Sequence, residues 1–193
     1  PPTTGRDPRH HPYSTHAYFF AFSSSRDTSK KVFSFFGMQS AGIITFKYLL
    51  IISSMFEVKM QEISLSSSGK QEIIDITGKV EAVVSKSNVK EGICLVYGAH
   101  TTACILILEA DGAVEQDVLN SLSHMVPNDV VYNHRHQGPA HGAAHTKASL
   151  FGQSVVLPVQ NSKLKLGTWQ SITFCELDGP RNDRKVLIQV LGR

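Results

Sequence analysis

Cysteine is scarce in this chain: three residues in 193, none in a CxxC spacing. Neither a disulfide framework nor a Cys-based zinc site is indicated, and a reducing compartment fits that usage. Fourteen Gly and eight Pro are too few for a low-complexity or collagen-like chain. No apolar run reaches the ~20 residues that span a bilayer. The longest, AGIITFKYLLIISSMF, is 16 residues interrupted by Lys47. There is no P-loop, GxGxxG, nucleophile elbow or kinase signature, and no local pattern supports a Ser/His/Asp triad.

Acidic side chains are nearly missing from the first part of the chain. Residues 1–54 hold six Lys/Arg against Asp7 and Asp27, a charge of +4, while residues 55–193 stand at −1. A basic surface for nucleic acid would have to lie in the first part, because the rest is balanced. No nucleic-acid partner and no membrane association are expected. Residues 1–54, which include the Ser-rich, aromatic stretch FFAFSSSRDTSKKVFSFF, read as an N-terminal extension. It is expected to be disordered, organelle-targeting or foreign to the mature protein. The folded domain is expected over 55–193, starting at Met55, in the cytoplasm unless the extension directs it elsewhere.

From Phe56 the patterning becomes regular. FEVKMQEISLS alternates as a half-buried strand does, with Phe56, Val58 and Met60 as its apolar set. A helix is predicted within Ile73–Ser87 from Val80, Val83 and Val84, with Thr77 as a cap. GICLVYGAH and TTACILILEA read as two strands meeting at a small-residue corner. VEQDVLNSLSHMV places Val114, Val118, Leu122 and Met125 on one helical face, stopped by Pro127. Asn128–Gly142 reads as turn-rich, and QSVVLPV, TWQSITFCEL and KVLIQVLG as three further strands. Strands interrupted by isolated helices, without βαβ alternation, predict an α+β fold with a mostly antiparallel sheet. Cys94 and Cys104 read as buried packing residues.

Histidine is the informative residue type. Four of the nine, His134, His136, His141 and His145, fall in NHRHQGPAHGAAH, and His100 stands at the strand corner. Imidazole is the commonest metal ligand, but this spacing matches no standard metalloenzyme motif, and a His-rich loop by itself is more often solvated surface. Glu109 follows the strand ILIL, where a capping or ion-pair role is the ordinary one. Trp169, the only Trp, reads equally well as core or as a site residue. Arg181, after the turn Asp178-Gly179-Pro180, can hold an anion bidentately.

Taken in order, IDIT, an EG before a strand, HTTA with Glu109 and Asp117 after it, YNH, AHTKASLFG, LPV, LGTWQ and E-DGPR–R resemble the YjbQ family. Its members are often called secondary thiamine-phosphate synthases. The resemblance covers about 139 residues. It implies an antiparallel β-sandwich or barrel-like core with a few helices, a homotrimer, and a pocket for a small phosphorylated molecule. It also implies a divalent metal, zinc or similar with magnesium as the alternative, on His100, His134 and His145. Glu109, His100 and Arg181 become the implied catalytic set; Thr101, Asp117, Lys147, Trp169 and Gln170 become the implied substrate-binding set. The implied reaction joins an aminopyrimidine diphosphate to a thiazole phosphate. The alternative is a non-catalytic trimeric module that binds a small anion or a metal. One departure stands out: where relatives carry carboxylates before the final His, this chain has Ala140-His141-Gly142, and His141 is a candidate substitute ligand.

Overall fold

The computed structural model describes residues 56–193, with Arg135 left out. The expectations for residues 1–54 and for Met55 lie outside the described residues. Eight strands and three helices are present among them: β1 (Glu57–Ser67), β2 (Glu72–Asp75), α1 (Thr77–Lys86), β3 (Glu91–Gly98), β4 (Ala103–Leu108), α2 (Gly112–Met125), α3 (Pro139–Phe151), β5 (Ser154–Gln160), β6 (Lys163–Leu164), β7 (Ser171–Glu176) and β8 (Arg181–Gly192). The strands form a five-stranded sheet ordered β1-β8-β3-β5-β6 and a three-stranded sheet ordered β2-β7-β4. All pairings are antiparallel. The expected α+β class with an antiparallel sandwich is what the chain adopts.

The main core lies between the sheets. Cys94, Val96, Val186, Ile188 and Val190 from the larger sheet meet Ala103, Ile105, Ile172 and Phe174 from the smaller one, and Val80, Val83 and Val84 of α1 pack with them. Each fully buried aliphatic side chain contributes roughly 1.5–3 kcal/mol relative to exposure. The opposite face of the smaller sheet, through Cys104, Cys175 and Leu177, packs with Leu122 of α2 and with Ala144 and Ala148 of α3. Successive side chains of a strand take opposite faces, so both faces of β4 and β7 are covered. Correspondingly, ACILIL is apolar throughout, and SITFCE buries Thr173 and Glu176 along with Ile172, Phe174 and Cys175. All three cysteines are free and buried, and burial pushes the Cys94 thiol up to about 11, as suits packing groups.

Among the described residues, nothing covers the outer face of the larger sheet in this way. Register places Val58, Leu191, Ile93 and Pro158 side by side, and next to them Met60, Gln189, Leu95 and Val156. The apolar set of β1 was expected to face a core. Instead Phe56, Val58 and Met60 are 64%, 59% and 67% exposed, while Leu65 turns inward. Alternation along a strand reveals that one face is apolar; it does not reveal what that face meets.

Local chemistry explains the helix ends. The Asp75 carboxylate accepts from the Thr77 N–H and hydroxyl, fixing the turn into α1. Asp111 caps α2 by accepting from Ala113 and Val114. Along α2 the face runs as expected from Val114 to Leu122, but Met125 is exposed. Two elements escape the sequence reading. Strand β2 is only four residues long, and α3 begins inside the stretch read as turns. Gly138, with φ at 88°, and Pro139 at the first helical position start it.

One polar group ties the sheets together. Glu176, fully buried on β7, receives the guanidinium of Arg184 on β8 through Nε at 2.6 Å and a second nitrogen at 2.5 Å. Ser67 at the end of β1 donates to the same carboxylate, and Arg184 also donates to the Thr102 hydroxyl at 3.0 Å. Removing one partner of a buried pair strands the other charge, at about 3–5 kcal/mol. Glu176→Ala should therefore lower the free energy of denaturant unfolding by about that amount. The double variant Glu176→Leu/Arg184→Met should recover most of it; equal destabilisation by single and double variants would show that the pairing is not the stabilising element.

Candidate functional site

The turn that follows Glu176 delivers two more side chains. Glu176 accepts the backbone N–H groups of Leu177 and Asp178, and Ser67 accepts that of Arg181, which fixes the segment Leu177–Arg181. Asp178 takes Arg181 with one carboxylate oxygen at 2.5 Å, and the same oxygen holds His141 Nδ1 at 2.9 Å. Burial pushes the Asp178 carboxyl up, but its bonds to Arg181 and His141 outweigh this and hold it below the usual range. An ionised Asp178 requires a proton on His141 Nδ1, so that Nε2 is the nitrogen His141 turns toward His145.

His141 and His145 lie one turn apart on α3, so their rings share a face. Their Nε2 atoms are 3.2 Å apart. His134, on the loop before α3, completes a group of three whose ligand atoms all lie within 4.8 Å of one another. His136 adds a ring 4.8 Å from that of His134, centroid to centroid. Burial, followed by the like charges of His141 and His134, pushes the His145 pKa down. Asp178 and the backbone of Thr101 pull the other way.

Gly142 makes this approach feasible. A Cβ there would stand 2.6 Å from Tyr132 Cβ and 3.0 Å from the His134 carbonyl oxygen. With no side chain at Gly142, the Tyr132–His134 loop lies directly on α3, and His134 is brought to the two helical histidines. The loop is tied further by the Tyr132 hydroxyl donating to the Pro127 carbonyl at 2.6 Å. The Ala140-His141-Gly142 departure thus contributes a ring nitrogen and the close approach that a third one needs.

The geometry suits a four-coordinate transition ion. Zinc bound tetrahedrally by imidazoles at 2.0–2.1 Å places neighbouring nitrogens about 3.3 Å apart, close to the His141–His145 separation. The Asp178–His141 bond is the carboxylate–histidine pairing that fixes a ligand's tautomer and raises its basicity. No carboxylate joins the three nitrogens among the described residues.

The sequence-derived candidates divide between places. His134 and His145 fall in the cluster, with Arg181 one residue away through Asp178 and Thr101 touching His145 through its backbone. His100 does not join the group of three. Its Nε2 accepts the Lys185 backbone N–H at 2.7 Å and its ring meets Phe174 edge-on, so His141 stands where His100 was expected. Lys147, expected at a phosphate, is fully buried with its ammonium on Asn128 Oδ1 at 2.8 Å, and burial lowers its pKa. Glu109, Trp169 and Gln170 stand at the far end of the smaller sheet, where Leu108 pairs with Ser171. The near end is marked by Leu177 donating to Thr102. Six residues of β4 separate the two ends, roughly 20 Å at ~3.3 Å per residue. Asp117 is exposed on α2. His141, the candidate substitute ligand, does join the cluster, through an i,i+4 spacing to His145 that appears only once a helix is placed there; the residue missed was Asp178, for which the sequence offers only a turn.

Comparison with known proteins places the chain as a whole. The model of the family described as UPF0047 protein YjbQ-like matches residues 61–193. A UPF0047 protein of Archaeoglobus fulgidus is 42% identical over 130 residues, covering 67% of this chain and 99% of the relative. YugU of Bacillus subtilis, also a UPF0047 protein, is 38% identical, covering 69% and 99%. The crystal structure of a YbjQ-like protein of unknown function from Sulfolobus solfataricus P2 superposes with a TM-score of 0.69 at 36% identity. It covers 72% of this chain and 99% of that one.

Two outcomes follow from the geometry. Gly142→Ala should lower stability by about 1–3 kcal/mol, because overpacking against Tyr132 Cβ and the His134 carbonyl outweighs the ~1 kcal/mol gain in helix propensity; unchanged or raised stability in denaturant unfolding would show that the loop does not depend on the missing side chain. His100 is the second case. Its burial, and then Arg184, hold its pKa below the ordinary value, so the fold favours the neutral ring. That contribution is whole above pH ~6.5 and is lost as pH falls from there through the lowered folded-state value. Stability should drop between pH 7.5 and 5, and His100→Gln should flatten part of that slope; an unchanged slope would clear His100 of any part in it.

Proposed function

This chain belongs to the UPF0047 (YjbQ-like) family, and we propose that His134, His141 and His145 hold a transition ion beside a site for a small phosphorylated molecule. The observation that carries the reading is the convergence of three ring nitrogens, one of them backed by the Asp178 carboxylate. Nitrogen donors favour zinc or a related ion over magnesium, which prefers oxygen. Such an ion supplies Lewis acidity at a bound oxygen. Around it, Arg181 offers a guanidinium that is 42% exposed and already positioned by Asp178, suited to a phosphate.

The reaction assigned to this site is a secondary thiamine-phosphate synthase activity. The thiazole nitrogen forms a bond to the pyrimidine methylene carbon as the carbon–oxygen bond to diphosphate breaks, and the diphosphate leaves with the electron pair. Cationic groups at the leaving group are what this step needs, and Arg181 is the candidate from this chain. A second reading, a module that holds the metal or a small anion without turnover, is favoured by a specific observation. Glu109, the candidate general base, stands at the other end of the sheet from the cluster, and Asp178 is committed to His141 and Arg181. In either reading the protein works as a homotrimer, with the apolar outer face of the larger sheet covered by another copy; a polar rather than apolar face would remove that support.

Elemental analysis of the full chain, purified without a histidine tag, tests the metal. Close to one zinc-like ion per chain is expected, and none in His141→Ala/His145→Ala. Asp178→Asn should keep the site but weaken its affinity by about 10–100-fold. Absence of metal from the unaltered chain under zinc-replete conditions would sink the reading. With metal bound, release of diphosphate from the pyrimidine and thiazole substrates supports the transferase, and retained ligand binding without any release supports the module.

A further inference from the structure

Trp169 is the only tryptophan of the chain and is 72% exposed. Its exposure does not come from a loose loop. The Gln170 side chain accepts the Gly167 N–H at 2.8 Å, and the Gln170 N–H donates back to the Gly167 carbonyl at 3.0 Å. The indole is therefore presented outward from a closed turn just before β7. A large aromatic side chain held rigidly in water is unfavourable in isolation and is the residue type that most often anchors an interface.

A matching receptacle exists on the same chain, but the indole cannot reach it. A cavity of about 280 Å³ lies beside the histidines, lined by Val131, Tyr132, His134, Gly138 and Pro139. Its lining is mostly apolar, and Val131 at its edge is 78% exposed. It belongs to the cluster end of the smaller sheet, whereas Trp169 belongs to the other end, roughly 20 Å away along β4. A plug and a socket at opposite ends of one rigid sheet can meet only between copies. Charge runs the same way: Glu109 is exposed at the Trp169 end of the smaller sheet, and Arg181 lies at the other.

We propose that Trp169 of one copy seats in the cavity beside His134 of the next, so that each metal cluster is completed by a neighbouring chain. The contact is heterologous, plug to socket, and such contacts close into a ring when the rotation between copies permits. The uncovered apolar face of the larger sheet supplies further contact area between the copies. Gln170 and Glu109 would travel with Trp169 to the neighbour's cluster. This places in one site the residues that a single chain holds apart. The proposal rests on the metal reading only for what the completed site does, not for the docking itself.

The test uses the full chain and the emission of its single indole. Where the protein is oligomeric, emission should lie to the blue of the same chain unfolded in denaturant. It should move to the red as dilution separates the copies. Val131→Glu, an exposed position at the cavity edge, should produce the same red shift, and Trp169→Ala should weaken self-association by roughly 30-fold. Solvent-like emission from the oligomer, a monomeric protein at all concentrations, or emission indifferent to Val131→Glu would each overturn the docking. Cobalt(II) separates this from the metal reading: quenching of Trp169 that disappears in His141→Ala/His145→Ala supports both. Blue-shifted emission with no cobalt bound would remove the metal reading alone, and bound cobalt with a solvated indole would remove the docking alone.

Discussion

The buried pair of Glu176 and Arg184 is the constraint on which the rest of the molecule depends. It joins the last residue of β7 in one sheet to β8 in the other, and takes in Ser67 from β1 and Thr102 from the corner before β4. The consecutive strands β7 and β8 and two segments distant from them in sequence are thus held at one end of the sandwich by a single carboxylate and a single guanidinium. The carboxylate also accepts the backbone N–H groups of Leu177 and Asp178. The chain leaving β7 therefore has a fixed direction, and Asp178 reaches His141. The position of the cluster is inherited from a charge pair that is not part of it.

From that end outward, the architecture layers logically. The sandwich core lies between the sheets, and α2 and α3 cover the far side of the smaller one through Leu122, Ala144 and Ala148. The small-residue face of α3 serves two purposes. Ala143, Ala144 and Ala148 are fully buried, and Gly142 lets a loop rest against the helix. Because the three histidines come from a helix and a loop pressed onto it, their spacing is set by backbone packing more than by their own rotamers.

Much of this was legible in the sequence, and the failures have physical causes. Alternation and apolar runs located β1, β3, β4, β5, β7 and β8, because half-buried and fully buried strands each leave a pattern of their own. Helix α3 was not legible, since its buried face is built from Gly and Ala, whose apolar signal is faint, and Pro139 reads as a breaker unless it is placed at the first turn. That miss hid the i,i+4 relation of His141 to His145. His100 was a ligand candidate only through the family resemblance; within one chain its ring accepts the Lys185 N–H of β8 and lies outside the group of three. Lys147 was a candidate as a cation for the implied phosphate; a lone lysine in a sequence does not show that it is buried, and here Asn128 is what makes its burial tolerable.

The double engagement of Asp178 has a thermodynamic consequence. One carboxylate oxygen accepts from both His141 and Arg181, so its electron density is divided between two donors. An anion that draws Arg181 away leaves that oxygen to the imidazole, making it a stronger donor through Nε2; an ion bound at Nε2 polarises the imidazole N–H and tightens its hold on the carboxylate, loosening Arg181 for an anion. Were a cation and an anion bound as proposed, the two occupancies would share a coupling free energy, reciprocal by necessity: whatever factor the anion added to the affinity for the cation, the cation would return to the anion.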